Sequence, residues 1–316
     1  IYLNSTFPEA EMQKEKGVII EEINMYEDMP QRHVQDLMMK LLYGDQPAGR
    51  NIAGEKKNIL NMKRDDFVAY KKKHYLPEAT VIVVAGQVTE KQVFDEVNKI
   101  FKDVKCGHKG KKIKTKDTQS KSEVLVNFKK TDQTHFVLAV RTYDLFDKKN
   151  ASISVLSGVL GGGMSSRLFV KLREELGVCY YVRAYNDAYT DHGFLQISAG
   201  VDNKRINEVV EVVLGECKKL KDYKVSEEEL NKVKECLIGN MKLSLELSDD
   251  IANFYGGQEL LKREILKAEK KAKEIRATTA NQVQALAKNI FKNNKLNLAL
   301  IGPFKQRAQF SKILKF

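Results

Sequence analysis

Two carboxylates open the chemistry of this chain. Glu15 and Glu22 stand seven residues apart in the run Glu15-Lys16-Gly17-Val18-Ile19-Ile20-Glu21-Glu22. Seven residues are two turns of an α-helix, so a helical reading puts both on one face. Val18, Ile19 and Ile23 offer apolar anchoring beside that face. A carboxylate next to a buried helix face is costly unless a positive partner meets it. The pair is therefore either solvated on a surface helix or directed at a metal ion or a reacting group, and these residues alone leave both readings open. The four cysteines, Cys106, Cys179, Cys217 and Cys236, form no Cys-x-x-Cys pair. That fits reduced thiols in a cytosol-like compartment better than a disulfide framework. Gly161-Gly162-Gly163 is not a phosphate loop, because no Gly-Lys-Ser/Thr follows at the required spacing. It reads as a flexible turn.

The elements that must position these residues follow from composition and period. The 316 residues allow one large or two ordinary domains, and 42% hydrophobic content supports proper cores. No apolar run is long enough to span a bilayer, so no membrane partner is expected. The net charge of +12 raises nucleic-acid binding. The lysines, however, alternate with acids along helical stretches and lack interleaved aromatics, which favours a solvated surface and no nucleic-acid partner. A nucleic-acid binder would show tight, salt-sensitive binding to duplex or single strands. The local lysine excess between Lys102 and Lys121, including Lys109, Lys111, Lys112, Lys114 and Lys116, reads as an exposed linker. The chain starts Ile1-Tyr2-Leu3, which predicts processing or a piece of a longer chain.

A helix bearing Glu15 and Glu22 is expected to end near Met29-Pro30, with Pro30 in the first turn of the next. Val34, Leu37, Met38, Leu41 and Leu42 form a helical stripe that stops at Gly44. Residues 64–75 read as a helix, Thr80 to Ala85 as a buried strand, and Thr89 to Gln92 as a capping box opening another helix. Glu123 to Phe128 and Thr134 to Val140 alternate like strands. A helix through Ile153 and Leu160 runs into the glycines, and a second spans about Ser165 to Leu176. Cys179 to Tyr189 and Phe194 to Val201 form a hairpin turning at Asp191-His192-Gly193, and the rest is helical until a strand at Leu296 to Ile301. Helix, Tyr75, strand, Gly86 can be laid over helix, Phe291, strand, Gly302 at an offset of 216. If the second copy opens near residue 122, about ninety residues of the first are expected upstream of Ile1.

With that frame, three segments resemble one family. Glu15 to Glu22 with Ile23-Asn24-Met25-Tyr26-Glu27-Asp28-Met29-Pro30 resembles the second motif block of the pitrilysin/insulinase zinc peptidases, in the branch of mitochondrial processing peptidase and its bacterial relatives. Tyr43-Gly44-Asp45-Gln46-Pro47-Ala48-Gly49-Arg50, Ile52 and Gly54 resemble the next block. Gly161-Gly162-Gly163-Met164-Ser165-Ser166-Arg167-Leu168-Phe169 followed by Leu172-Arg173-Glu174-Glu175-Leu176-Gly177-Val178-Cys179-Tyr180 resembles the second-half signature.

The resemblance implies zinc, held by two histidines of an inverted H-x-x-E-H motif and a distal glutamate. Glu22 would be that distal ligand, and Glu15 a catalytic carboxylate behind the metal shell that orients a ligand. Arg173 and Tyr180 would reach the substrate carbonyl or its developing oxyanion. Without the resemblance, Arg173 reads as a helix ion pair and Tyr180 as a half-buried strand aromatic. None of His33, His74, His108, His135 and His192 sits in an H-x-x-E-H arrangement. The family places that motif about 75 residues before the distal glutamate. The expectation is thus an α/β (α+β) chain of two homologous repeats, each a mainly antiparallel sheet with helices on one face, the first incomplete at its N-terminus. Residues 1–106 would be the rear of the catalytic repeat, 107–121 the lysine-rich linker and 122–316 the non-catalytic repeat. Such a chain would be part of a zinc endopeptidase acting on extended peptides or unfolded proteins in an enclosed chamber. Alternatively it is a non-catalytic partner subunit. A second copy or a related peptidase subunit is the expected protein partner. The compartment would be a bacterial cytoplasm, with the mitochondrial matrix open.

Overall fold

The computed structural model describes residues 2–107, 110–261 and 264–316. Of the residues discussed above, Ile1, His108, Lys109 and two positions of the helical C-terminal stretch, Lys262 and Arg263, lie outside the described residues. Chain order runs α1 (Glu9–Asp28), α2 (Pro30–Tyr43), α3 (Lys56–Asn61), α4 (Arg64–His74), α5 (Glu90–Phe101), β1 (Glu123–Phe128), β2 (Gln133–Thr142) and α6 (Asn150–Gly161). A short helical turn, Arg167–Phe169, continues into a π-helical segment, Val170–Glu175. Then come β3 (Cys179–Ala188), β4 (Gly193–Asp202), α7 (Ile206–Asp222), α8 (Glu227–Leu243), α9 (Ser248–Leu261), α10 (Ala268–Arg276), α11 (Ala280–Ile290), β5 (Asn297–Gly302) and α12 (Ala308–Ile313). No helix among the described residues is long and apolar enough to cross a membrane.

These elements cluster into two compact units that interleave along the chain. One comprises Ile1–Met25, Ile52–Ile113 and Met241–Leu266; the other comprises Tyr26–Asn51, Lys114–Asn240 and Lys267–Phe316.

The second unit holds the sheet, in strand order β1-β5-β2-β4-β3. Pairing is antiparallel except between β1 and β5, which run parallel. Strand alternation splits β2 cleanly. Phe136, Leu138 and Val140 join a core with Ile153, Leu156, Val209, Val213, Leu286 and Leu300. Val137 and Ala139 face the other way, onto Val34, Met38, Leu42 and Tyr43 of α2. Helices therefore lie on both sides of this sheet, not on one face as expected. The α2 stripe is long enough to bury Ala299 and Ile301 as well. With both faces covered, every residue of β5 is buried.

Local chemistry sets the ends of α2. Pro30 takes the first turn, where its missing N–H costs nothing. Gly44 closes the helix at φ +59° while its N–H donates to Lys40 O at 2.8 Å. Part of the lysine-rich segment is tied to the same unit. Asp191 Oδ2 accepts from Thr115 N at 2.8 Å, Gln46 brackets the backbone of Lys116, and Asp117 lies 3.4 Å from Arg141 Nε. A stretch read as a solvated linker is thus fixed from Thr115 onward by side chains its composition does not reveal.

The first unit repeats part of this order. At the offset of 216, α4 coincides with α11 end to end, and the 3-10 turn Pro77–Ala79 coincides with Asn293–Lys295. Both helices close on an aromatic in the same backbone conformation, Tyr75 at φ −89°, ψ 75° and Phe291 at φ −84°, ψ 78°. Thr89 caps α5 as its box predicts, accepting from Gln92 N at 3.3 Å. The strand expected at Thr80 to Ala85 is not one. Val81, Ile82, Val83 and Val84 are 37%, 44%, 41% and 49% exposed, and the backbone there forms no ladder. A strand exists by pairing. The counterpart β5 is held between β1 and β2, and no such neighbours flank 80–86 among the described residues. The only buried apolar side chains among the described residues of this unit are Met12 and Ile23.

Candidate functional site

Glu15 and Glu22 both lie on α1, as their spacing requires. Glu15 is exposed and Glu22 half-buried. The helix is anchored through Met12 and Ile23, eleven residues apart and hence close to one stripe. Val18, expected to help, is 57% exposed. It sits five residues before Ile23, which places it off that stripe.

Arg173 and Tyr180 are brought together by two departures from regular backbone. Between Val170 and Glu175 the helix widens into a π turn, in which Leu176 N–H reaches Lys171 O at 3.1 Å. Gly177 then turns the chain at φ +61°, a conformation cheap for glycine. Val178 N–H returns to Leu172 O at 2.9 Å. On β3 the register slips: Cys179 pairs with Val201 and Tyr181 with Gly200, so Tyr180 is the extra residue of a β-bulge. The Arg173 guanidinium donates from Nη1 to Cys179 O at 2.9 Å and lies 5.4 Å from the centroid of the Tyr180 ring. Leu168, Leu172 and Cys179 are buried, so the backbone is held while Arg173 and Tyr180 remain exposed.

Neighbouring contacts brace this corner. Arg167 forms a forked ion pair with Glu229 of α8, Nε–Oε1 2.8 Å and Nη2–Oε2 2.7 Å. Arg205 donates to Leu176 O at 3.1 Å, fixing the far end of the π turn. Gly161 is the last residue of α6 rather than a loose turn. A Cβ there would stand 2.5 Å from Ala184 N, so glycine is what lets α6 lie on the backbone of β3.

Beside the bulge, His135 Nδ1 and the Tyr181 hydroxyl are 3.1 Å apart. Burial pushes the His135 pKa down and the Tyr181 phenol up. Gly200 between them has no room for a side chain: its Cβ would meet Tyr181 at 2.8 Å and His135 at 3.0 Å. Sequence reasoning missed this pair, because strand alternation places His135 without showing what stands two strands away.

Chemically, the corner is a donor site. Arg173 spends one of its N–H groups on Cys179 and keeps others for a ligand, and Tyr180 adds a phenolic O–H. Such a pair suits a carbonyl oxygen or an oxyanion. Zinc is a different matter. Among the described residues no group of three or more His, Cys, Asp or Glu side chains converges to hold a metal ion. A catalytic zinc needs three protein ligands, so Glu22 with its surroundings does not complete such a site.

Known proteins share this architecture. Residues 61–237 match the family described as Peptidase M16 inactive domain. The "Uncharacterized zinc protease YmxG" of Bacillus subtilis is 33% identical over 303 residues, 96% of this chain and 73% of the relative. A protein of Streptomyces coelicolor also named as a zinc protease is 28% identical over 309 residues, 96% of this chain and 67% of the relative. In fold, a protease from Helicobacter pylori superposes with a TM-score of 0.87 at 20% identity, covering 94% of this chain and 73% of that one. A peptidase M16 inactive domain from Pseudomonas fluorescens gives 0.83 at 20% identity, covering 96% and 73%.

Proposed function

The chain belongs to the peptidase M16 family, and from that premise we propose that it is the substrate-gripping portion of a zinc endopeptidase acting on extended peptides. The observation that carries the reading is the Arg173–Tyr180 pair, set side by side by a π turn and a bulge. π turns are frequent at functional sites, and bulges are over-represented at sheet edges and next to active sites, where they re-aim a side chain or end pairing. The outward N–H groups of Arg173 and the Tyr180 hydroxyl hold the carbonyl oxygen of the bond to be cut and stabilise the charge that grows there. Removing one such donor costs about 10²–10³ in turnover.

Glu22 is the distal metal ligand of this proposal, and Glu15 the carboxylate that orients the shell behind it. Zinc, when bound, supplies a polarised water. Two histidines and a general base complete that centre, and none of the 316 residues provides them in an H-x-x-E-H arrangement. The steps assigned to this chain are binding and orientation of the peptide. Within this reading the blocks around Glu22 and Tyr43 to Arg50 favour the processing-peptidase branch. Its substrates are peptides or unfolded proteins in an enclosed chamber, its protein partner a second copy or a related subunit, and its compartment a bacterial cytoplasm or a mitochondrial matrix.

Peptide cleavage tests the proposal. The 316-residue chain with added zinc is expected to show no turnover, and the same chain joined to an upstream segment carrying H-x-x-E-H is expected to cleave. Turnover by the chain alone would overturn the division of labour. An upstream coding sequence without the motif would make the protein a non-catalytic subunit that shapes the chamber of an active mate.

A further inference from the structure

The residue that stands out after the donor corner is Asp187, near the far end of β3. Its carboxyl is half-buried, yet no hydrogen bond or ion pair reaches it among the described residues. Burial alone pushes its pKa up, with no cation offsetting the cost. The nearest cation along the strand, Arg183, is four residues away, about 13 Å in an extended chain. Unpaired carboxylates in such surroundings are expensive and rarely incidental.

Three features give Asp187 a direction. First, β3 is the terminal strand of the sheet, and no described strand pairs with its outer edge. Tyr189 N–H is given inward to His192 O at 2.7 Å. Antiparallel alternation then turns the N–H and C=O of Ala188 and Asn186 outward, away from β4. Second, Tyr185, Asp187 and Tyr189 occupy alternate positions and so share one face. The two rings are 39% and 42% exposed. Third, one ring is fixed: Tyr189 stacks on His192 at 4.6 Å and on Phe194 at 6.2 Å, while Tyr185 lies opposite Gln196 of β4.

We propose that the outer edge of β3 accepts an extended peptide as an added strand, and that Asp187, between Tyr185 and Tyr189, selects lysine or arginine at the peptide position opposite it. Residues directly opposite on neighbouring strands point to the same side, so that side chain meets the carboxylate. The flanking phenol rings are its diagonal neighbours, and ring faces attract cations. Ladder bonds to Asn186 and Ala188 give sequence-independent affinity, and Asp187 adds the preference. This subsite rests on the peptide-gripping reading above and names the class of peptide that site takes.

Fluorescence anisotropy with two labelled ten-residue peptides of β-forming sequence tests it. The peptides differ only at one central position, lysine in one and norleucine in the other. The lysine peptide is expected to bind the 316-residue chain about five- to tenfold more tightly. The gap should shrink in high salt and vanish in Asp187→Asn, whose norleucine-peptide affinity stays unchanged. Equal binding of both peptides, still weakened by Arg173→Ala, overturns the Asp187 subsite and leaves the peptide-gripping reading in place. Failure of both peptides to bind overturns the subsite and the peptide-gripping reading together.

Discussion

At the scale of single residues, what matters is which polar groups the fold leaves unanswered. Arg173 answers Cys179 with one N–H and has others to give. Asp187 answers nothing described and has its pKa raised by burial. That shift has a sign in stability. Between the ordinary aspartate pKa, about 3.9, and the higher folded value, the native state binds more protons than the unfolded one. Stability therefore falls as pH rises through that window and stays lowered above it. Asp187→Asn removes the penalty. The variant should unfold at higher urea than the parent at neutral pH, with the advantage gone below about pH 4; an equal or lower midpoint at neutral pH would mean the carboxylate has a partner. Little of this was legible in the chain. Glu22 is singled out by its spacing from Glu15 and assigned a role by resemblance, and Arg173 and Tyr180 by resemblance to a motif block, whereas Asp187 belongs to no motif. Its character depends on a neighbour being absent, which only coordinates reveal.

At the scale of elements, period and punctuation carried most of the reading, and pairing carried the rest. Pro30, Gly44, Thr89 and the alternating runs of β1 and β2 put their elements where the structure has them. The segment read as one helix over about 165–176 is instead a short turn and a π segment, because hydrophobic spacing of 3.6 does not separate a helix from one widened by a residue. The bulge at Tyr180 is invisible for a related reason: an extra residue in a strand leaves no mark until the partner strand is known. Thr80 to Ala85 has the pattern of β5 without its neighbours among the described residues. Hence Val84→Asp should change the melting temperature of the chain little, a surface effect within about 0.5 kcal/mol. Leu300→Asp, at the matching position and fully buried, should unfold the sheet-bearing unit, since it leaves an unpaired charge in the core. Equal effects would refute the asymmetry between the two copies. Gly161→Ala forces a methyl to within 2.5 Å of Ala184 N. It should destabilise by about 1–3 kcal/mol in a urea titration, as overpacking does; a neutral substitution would show that α6 can shift off β3.

At the scale of the whole molecule, the two units share part of one element order and differ in what surrounds it. The second unit has a two-sided sheet and a large core, and it carries Arg173, Tyr180 and Asp187. The first unit carries Glu15 and Glu22 on α1, with few buried side chains behind them. The proposed roles, a carboxylate for a metal and a donor pair for a carbonyl, have separable consequences, and this separation is the central claim. Joining the chain to an H-x-x-E-H segment allows bound zinc and peptide turnover to be measured on the same preparations. Glu22→Gln should lose both zinc and turnover. Arg173→Ala should retain zinc in full while turnover falls by about 10²–10³; loss of zinc in Arg173→Ala, or undiminished turnover with zinc retained, would contradict the account.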